Sequence, residues 1–270
     1  MTDELCRLSI INYLNAEPLN YGFKRGLNYQ NFYLKFQGPA ASCDSLKLGE
    51  VDAGLISSIE YQRIPDLKII SNLCIGSQDS ARSVLIFSKV PFDEIKSLAL
   101  DTSSRTSVVL GQILLKEKFG CSDLKTTYLM PDLRVMLRDH DAALMIGDQA
   151  MRSNSDGLLV LDLSHEWKLH TNLPFVFAFW GVHPRAPKAL NGRPLQWFFE
   201  ESFRQGNENL STIIEEAKIP LRWSETQLRA YFTENISYHL GPKEKASLAL
   251  FYEKAFSHGF VPKVRELSFM

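Results

Sequence analysis

Hydroxyl and amide side chains recur at four places where an apolar segment gives way to a helical one. Ser57 and Ser58 follow Gly54-Leu55-Ile56, and a run of polar residues, 102–107, follows another apolar segment. A single hydroxyl at such a junction usually caps the helix, whereas two or more exceed what a cap needs. Neutral donors beside a helix N-terminus, with its free N–H groups and partial positive charge, attract anions. The junctions therefore predict a site for a small anion.

The junctions supply the residues that we expect at this site. They lie in "IINYLNAEPL", "GLISSIEY", "LALDTSSRTSVVLGQILL" and "ALMIGDQAM", and Arg82-Ser83 before "VLIFSK" is a further contributor. Arg105 has a long side chain that could pair with a carboxylate or point to solvent, and the sequence leaves both alternatives open. The predicted ligand-binding residues are Ser57, Ser58, Ser83, Ser104, Arg105, Thr106 and Ser107.

Short apolar strands alternate with helical patterns over the first two thirds of the chain, and these elements have to position the junctions. The predicted strands cover residues 8–12, 33–37, 51–56, 67–74, 83–87, 97–101, 142–146, 158–163 and 175–182. The predicted helices cover residues 16–25, 43–48, 58–63, 106–119 and 132–138. Strands that are apolar on both faces are typical of a parallel sheet covered by helices. We therefore predict an α/β protein whose junctions share the carboxyl ends of the strands.

The last third of the chain is predominantly helical. Pro194 is suited to a first helical position and Gly206 to a helix end. Ser224 and Gln227 fit a capping box, and residues 243–257 form a strong helical pattern. The aromatic residues of "TNLPFVFAFW" are predicted to belong mainly to the core.

Size and composition limit the class of protein. The 270 residues are enough for two domains, and a net charge of -1 gives no basic field for nucleic acid or acidic membranes. No apolar stretch approaches the length of a membrane span. The N-terminal "MTDELCRLSIINYLNAEP" lacks the pattern of an export leader, so we expect a cytoplasmic protein.

Neither a metal nor a nucleotide cofactor is indicated. The four cysteines form no CxxC pair and the six histidines are scattered. Neither G-x-G-x-x-G nor a Walker P-loop is present. We expect reduced, buried thiols and a site without metal or cofactor, and no feature of the sequence defines an oligomeric state.

Seven blocks of sequence resemble, in order, the chorismate dehydratases of the futalosine route to menaquinone. They are "INYLNAEPL", "VDAGLISSIEY", "RSVLIFS", "SSRTSVVLGQILL", "ALMIGDQAM", "DLSHEW" with "TNLPFVFAFW", and "ISYHLG". The blocks extend over nearly the whole chain. The sister branch, which makes 1,4-dihydroxy-6-naphthoate, opens with a Ser-Pro-Cys-Pro-Asn type of block where this chain has Tyr13-Leu14-Asn15.

The resemblance implies a periplasmic-binding-protein-like fold of the second type, in which two α/β lobes flank a central cleft. We expect the chain to cross between the lobes near Ser83 and Phe175. Residues 1–83 and 176–270 would then form the first lobe and residues 84–175 the second. Asn172 stands where relatives commonly have glycine, and because asparagine tolerates positive φ, we expect the turn to be kept.

The resemblance also implies a reaction, the conversion of chorismate, a dicarboxylate, to 3-[(1-carboxyvinyl)oxy]benzoate and water. A proton leaves C3 and the hydroxyl leaves C4, and aromatisation makes a redox cofactor unnecessary. Because the junctions carry few bases, we favour the enolpyruvyl carboxylate of the substrate as the base, with Asp148 as the alternative within the protein. Asn15 is expected to orient the substrate through its amide, so Asn15 and Asp148 are the predicted catalytic residues.

Other functions share this scaffold. A non-enzymatic solute-binding protein for a small anion has the same fold, and so does the sister naphthoate synthase. A purely structural or interaction protein is disfavoured by the four polar junctions.

Overall fold

The computed structural model describes residues 5–27, 29–221 and 223–270. Residues 1–4, which the predicted first lobe includes, lie outside the described residues. The strands are β1 (Cys6–Ile11), β2 (Phe32–Gln37), β3 (Ala53–Ser57), β4 (Lys68–Ser77), β5 (Val84–Ser88), β6 (Ser97–Asp101), β7 (Lys125–Leu129), β8 (Ala142–Ile146), β9 (Leu159–Asp162), β10 (Phe175–Val182), β11 (Ala189–Leu190), β12 (Arg193–Pro194) and β13 (Ser237–Leu240). The helices are α1 (Glu17–Lys24), α2 (Pro39–Lys47), α3 (Glu60–Arg63), α4 (Thr106–Phe119), α5 (Leu133–Arg138), α6 (Gly147–Arg152), α7 (Leu163–Thr171), α8 (Leu195–Glu208), α9 (Leu210–Leu221), α10 (Glu225–Ala230) and α11 (Pro242–Ser257).

Two separate sheets form the framework, which confirms the α/β prediction. The first has the strand order β13-β4-β10-β3-β1-β2, and the second has the order β7-β6-β8-β5-β9. Strands β1, β2 and β3 are parallel, as are β6, β7 and β8. The chain leaves the first sheet between β4 and β5 and returns to it between β9 and β10. From this path we propose the division into lobes of residues 1–83 with 176–270 and of residues 84–175.

The expectation of purely parallel sheets is wrong. Strand β10 is antiparallel to β3 and β4, and β5 is antiparallel to β8 and β9. Both strands lie inside their sheets, where helices cover both faces. Burial on two faces gives the same unbroken apolar pattern whichever way a strand runs, so the sequence pattern could not show the direction.

The predicted elements recur within a few residues, with instructive exceptions. The sequence pattern does not predict β7, β11, β12 or β13. Strand β7 is a sheet edge whose residues are mostly exposed, so its apolar signal is weak. Gly206 lies inside α8 and does not end it. A Cβ at Gly206 would collide with the backbone of Pro18, so this glycine lets α8 pack closely on α1.

The predicted capping box at Ser224 and the predicted turn at Asn172 are confirmed, whereas Pro194 precedes α8 and does not take its first position. Ser224 Oγ accepts a hydrogen bond from Gln227 N, and Ser224 N donates one to Gln227 Oε1, which completes the capping box of α10. Asn172 ends α7 with φ of 59° and ψ of 18°, so the left-handed turn is kept. Phe175, Phe179 and Trp180 are buried in the core, as predicted for this aromatic run.

Within the described ranges, no helix is both long and apolar enough to cross a membrane. The same ranges contain no group of three or more His, Cys, Asp or Glu side chains placed to hold a metal ion.

Candidate active site between the two sheets

A cavity lies between the two sheets. The first sheet contributes residues at or near the ends of β1, β3, β4 and β10, and the second contributes residues at the ends of β6 and β8 and at the start of β5. The lining residues are Ile11, Tyr13, Asn15, Ala16, Pro39, Leu55, Ser57, Ile75, Ser83, Val84, Ser104, Thr106, Ser107, Ile146, Gly147, Phe177, Ala178 and Ile236.

Strand direction explains why residues from distant parts of the sequence meet here. The junctions after β1 and β3 lie at one edge of the first sheet because these strands are parallel neighbours. The junctions after β6 and β8 share an edge of the second sheet for the same reason. Strand β5 runs the opposite way, and Val84 pairs with Ile146. The residue before β5, Ser83, therefore reaches the same edge as the residues that follow β8.

Three serines offer unused hydroxyls to the cavity. Ser57, Ser104 and Ser107 are only 8%, 4% and 4% exposed, and all three line the cavity. Within the described chain these three hydroxyls have no hydrogen-bond partner. Their oxygen atoms nevertheless keep some accessible surface, unlike the buried, unpaired hydroxyls of Ser77 and Ser164. Each hydroxyl is thus accessible from the cavity and free to bind a ligand.

Asn15 presents a free side-chain amide to the same space. Its backbone carbonyl accepts a hydrogen bond of 2.9 Å from Tyr238 Oη, which fixes the turn after β1. The amide group itself has no partner among the described residues, and Asn15 lines the cavity. An amide carries both a donor and an acceptor, so Asn15 can orient a ligand that has both kinds of group.

The N-terminus of α4 faces this region. Thr106 and Ser107, its first residues, line the cavity, and no side chain caps the helix. The first N–H groups of a helix have no partner within the helix and carry partial positive charge. A helix of 14 residues therefore adds an electrostatic preference for a carboxylate.

Other predicted residues hold the walls of the cavity together. Ser58 Oγ donates to Val176 O at 2.8 Å and lies 3.3 Å from Thr106 Oγ1. Since the Ser58 hydrogen is used, Thr106 donates to Ser58, and Thr106 Oγ1 also accepts from Ile59 N at 3.2 Å. These bonds join the start of α4 to the end of β3. Ser58 does not line the cavity, although Thr106 does.

Ser83 also lines the cavity, but its hydroxyl is engaged. It donates to Ala81 O at 3.2 Å and accepts a hydrogen bond of 3.0 Å from Tyr231 Oη. Ser83 O accepts from Gly147 N at 2.7 Å. Ser83 thus connects the crossing before β5 with the start of α6.

Arg105 lies outside the lining of the cavity. Its guanidinium is 3.1 Å from Glu60 Oε2 and 2.7 Å from Asp44 Oδ1. These ion pairs connect the N-terminus of α4 with α3 and α2. Of the two alternatives left open by the sequence, pairing with a carboxylate is the one observed, and the carboxylates are those of Glu60 and Asp44.

Asp148 also lies outside the lining and turns toward the backbone of the first lobe. Its carboxylate accepts a hydrogen bond of 3.2 Å from Leu14 N, in the turn after β1. Burial raises the pKa of Asp148, although the Leu14 amide opposes this effect. Its position suits a group that holds the Tyr13–Asn15 turn in place.

The lining contains almost no group that could act as a base. Among the described lining residues, Tyr13 has the one titratable side chain. Burial raises the pKa of Tyr13 above its usual value, so its phenol stays protonated at neutral pH. The described lining therefore offers no carboxylate and no imidazole.

Two residues of the site escaped prediction from the sequence. Tyr13 has no predicted role within its junction, and Asp101 is predicted only as the last residue of a strand. Asp101 is fully buried and accepts hydrogen bonds from Ser103 and from Ile146 N. The signal that could have identified it is a carboxylate at the carboxyl end of an otherwise apolar strand.

Comparison with known proteins identifies relatives over nearly the whole chain. A family model described as menaquinone biosynthesis matches residues 6–257. A chorismate dehydratase from Thermus thermophilus is 28% identical over 264 residues, which cover 91% of this chain and 93% of that protein. A chorismate dehydratase from Campylobacter jejuni is 27% identical over 242 residues, 88% of each chain.

Among solved structures, the periplasmic aliphatic sulphonate binding protein SsuA from Escherichia coli has a similar fold. The TM-score is 0.64 at 16% sequence identity, and the match covers 99% of this chain and 94% of SsuA. This confirms the periplasmic-binding-protein-like fold with its two α/β lobes.

Proposed function

The chain belongs to the menaquinone-biosynthesis family, and we propose that it is a chorismate dehydratase, a lyase that converts chorismate to 3-[(1-carboxyvinyl)oxy]benzoate and water. The observation that carries this proposal is a cavity whose described lining has neutral hydrogen-bond donors from both lobes and neither a carboxylate nor an imidazole. Such a cavity suits a dicarboxylate that supplies its own proton acceptor. The activity of the two dehydratase relatives supports the same conclusion.

Substrate binding follows from the free donors. We assign the carboxylate contacts to Ser57, Ser104 and Ser107, together with the N-terminus of α4. Ser58, Ser83 and Thr106 contribute by holding these donors in position, since their hydroxyl hydrogens are engaged. Donors that are already oriented lose little entropy when the ligand binds and stabilise negative charge in the transition state.

The chemistry is a 1,2-elimination that makes the ring aromatic. The enolpyruvyl carboxylate takes the proton from C3, the C3–H electron pair becomes part of the aromatic ring, and the C4–O bond breaks. The departing hydroxide and the abstracted proton together form water. Asn15 orients the substrate through its free amide, and donors on the ring carboxylate stabilise the negative charge that spreads into it as the proton leaves.

The futalosine route and a cytoplasmic location complete the proposal. The family description supports menaquinone biosynthesis in general. The finer assignments depend on the sequence resemblance.

The proposed activity is tested by incubating the purified protein with chorismate. We expect the diene absorbance of chorismate to disappear and mass spectrometry to identify the aromatic product, at a rate proportional to the protein concentration. Chorismate without protein controls for spontaneous decay. Saturable binding of chorismate with no loss of absorbance would overturn the proposal in favour of a solute-binding protein.

A further inference from the structure

A chain of hydrogen bonds runs from the cavity to a buried carboxylate and crosses between the lobes. Tyr13, which lines the cavity, donates its hydroxyl hydrogen to Ser103 Oγ at 3.2 Å. Ser103 Oγ in turn donates to Asp101 Oδ1 at 2.6 Å. Tyr13 follows β1 in the first sheet, whereas Asp101 ends β6 in the second.

The partners of Asp101 fix the direction of this chain. Asp101 is 0% exposed, and it accepts hydrogen bonds from two backbone groups, Ser103 N at 2.8 Å and Ile146 N at 3.2 Å. Burial raises the pKa of Asp101, although the hydrogen bonds from Ser103 and Ile146 N oppose this effect. Both carboxylate oxygens already accept from backbone N–H groups, so the Ser103 hydroxyl meets an acceptor at Oδ1. Ser103 must therefore point its hydrogen at Asp101, and Ser103 Oγ must accept the hydrogen of Tyr13.

These hydrogen bonds determine what the Tyr13 hydroxyl can offer to a ligand in the cavity. The hydrogen of Tyr13 is committed to Ser103, so the phenol oxygen has lone pairs but no hydrogen for a ligand. The serines and the start of α4 are, by contrast, donors that suit carboxylates. Tyr13 thus differs from its neighbours in the kind of ligand group it can bind.

We propose that Asp101 and Ser103 are positioning residues that make Tyr13 the acceptor for the ring hydroxyl of the substrate. This inference rests on the proposed function, because the hydroxyl in question is the one that chorismate loses from C4. The product has both carboxylates but no such hydroxyl. Tyr13 therefore distinguishes the substrate from the product, which favours product release.

Discrimination between substrate and product is the quantity to measure. We expect Tyr13→Phe to raise the KM for chorismate by about tenfold, the usual cost of losing a hydrogen bond to a substrate hydroxyl. The Kd of the product, measured by titration calorimetry, should change by less than about twofold, because the product makes no such bond. Tyr33→Phe, on the exposed side of β2, is the matched control and should change neither constant.

Variants of Ser103 test the donor-to-acceptor direction of the hydrogen bonds from Tyr13 to Asp101. Ser103→Ala releases the Tyr13 hydrogen, so the preference for chorismate over product should fall, whereas Ser103→Thr keeps a hydroxyl and should restore it. These variants leave Tyr13 in place, so the test does not depend on the folding of a single variant.

The possible failures are distinguishable. Equal losses for substrate and product in Tyr13→Phe, or no change in either, would overturn the inference while leaving the activity intact. Unchanged chorismate in the presence of the wild-type protein would overturn the proposed function and the inference together.

Discussion

At the scale of single residues, Asn15 and Asp148 each lie in a junction that follows a strand, β1 and β8 respectively, but their surroundings differ. The Asn15 amide faces the cavity without a partner, whereas the Asp148 carboxylate is bonded to Leu14 N outside the lining. The amide is free to bind a ligand, and the carboxylate is occupied with the backbone. We therefore expect these two predicted catalytic residues to respond differently to substitution.

Asn15→Ala should lower kcat for chorismate by about a hundredfold, since a misoriented substrate loses the advantage of a fixed geometry. Stability should hardly change, because no described residue uses the Asn15 side chain as a hydrogen-bond partner. Steady-state kinetics and thermal unfolding measure the two effects, and Asn207→Ala, on the exposed side of α8, serves as the control. A normal rate would remove Asn15 from the site.

Asp148→Asn should retain kcat within about fivefold, because substrate-assisted proton transfer does not require a base from the protein. Some loss is expected because Asp148 holds the Leu14 amide. The rate and the Kd of the product are measured together. If binding were kept while the rate fell by several orders of magnitude, Asp148 would be the base and the substrate-assisted mechanism would be wrong.

At the scale of elements, the start of α4 lines the cavity and also contacts the first lobe. Arg105, one residue before α4, pairs with Glu60 of α3 and Asp44 of α2. The Glu60 side chain is 4% exposed and that of Asp44 is 56% exposed. Since exposed ion pairs contribute little, the contact with Glu60 is the one that should position α4.

Substitutions at this contact distinguish positioning from direct binding. We expect Arg105→Met and Glu60→Gln each to raise the KM for chorismate by about fivefold, and the double variant to do little more, because both remove the pair between Arg105 and Glu60. Glu60→Gln also weakens the pair of Glu60 with Arg63, at 2.7 Å, which lies within α3 and does not hold α4. Asp44→Asn is the control and should leave KM unchanged. An effect of Arg105→Met that Glu60→Gln does not share would mean that Arg105 contacts the substrate directly.

At the scale of the whole molecule, a second polar contact joins the lobes away from the cavity. Glu117 of α4 binds Lys254 Nζ at 2.6 Å, His258 Nε2 at 2.8 Å and His170 Nε2 at 2.9 Å. Lys254 lies on α11, which packs on the first sheet, and His170 lies on α7 of the second lobe. Burial by itself would raise the pKa of Glu117, but its three partners outweigh burial and lower the pKa to about 2.

A pKa below the unfolded value of 4.5 means that the folded protein favours the ionised form of Glu117. Its contribution to stability is therefore complete above about pH 4.5 and disappears as the pH falls toward 2. We expect Glu117→Gln to lower the free energy of unfolding by about 1 kcal/mol at pH 7, with a smaller difference at pH 3.5. Urea unfolding measures both, and Glu253→Gln, exposed on α11, is the control. A difference that did not shrink at low pH would contradict this account.

The sequence by itself determined the features that depend on neighbouring residues. Apolar runs and capping signals located most strands and helices, including α4 and the capping box at Ser224. Polar residues after β1, β3, β6 and β8 pointed to the cavity, because the ends of parallel strands lie at a common edge. The seven blocks pointed to the family, since they preserve these junctions in order.

The tertiary structure decided what depends on contacts between distant residues. Ser57 and Ser58 are adjacent in the sequence, but Ser57 is the last residue of β3 and Ser58 begins the turn that follows it. Ser57 consequently faces the cavity, whereas Ser58 is bonded to Val176. Tertiary contacts also decide the directions of β5 and β10 and the partners of Arg105. The same holds for the series of hydrogen bonds from Tyr13 to Asp101. Each of them depends on which residues, far apart in the sequence, become neighbours when the two lobes meet.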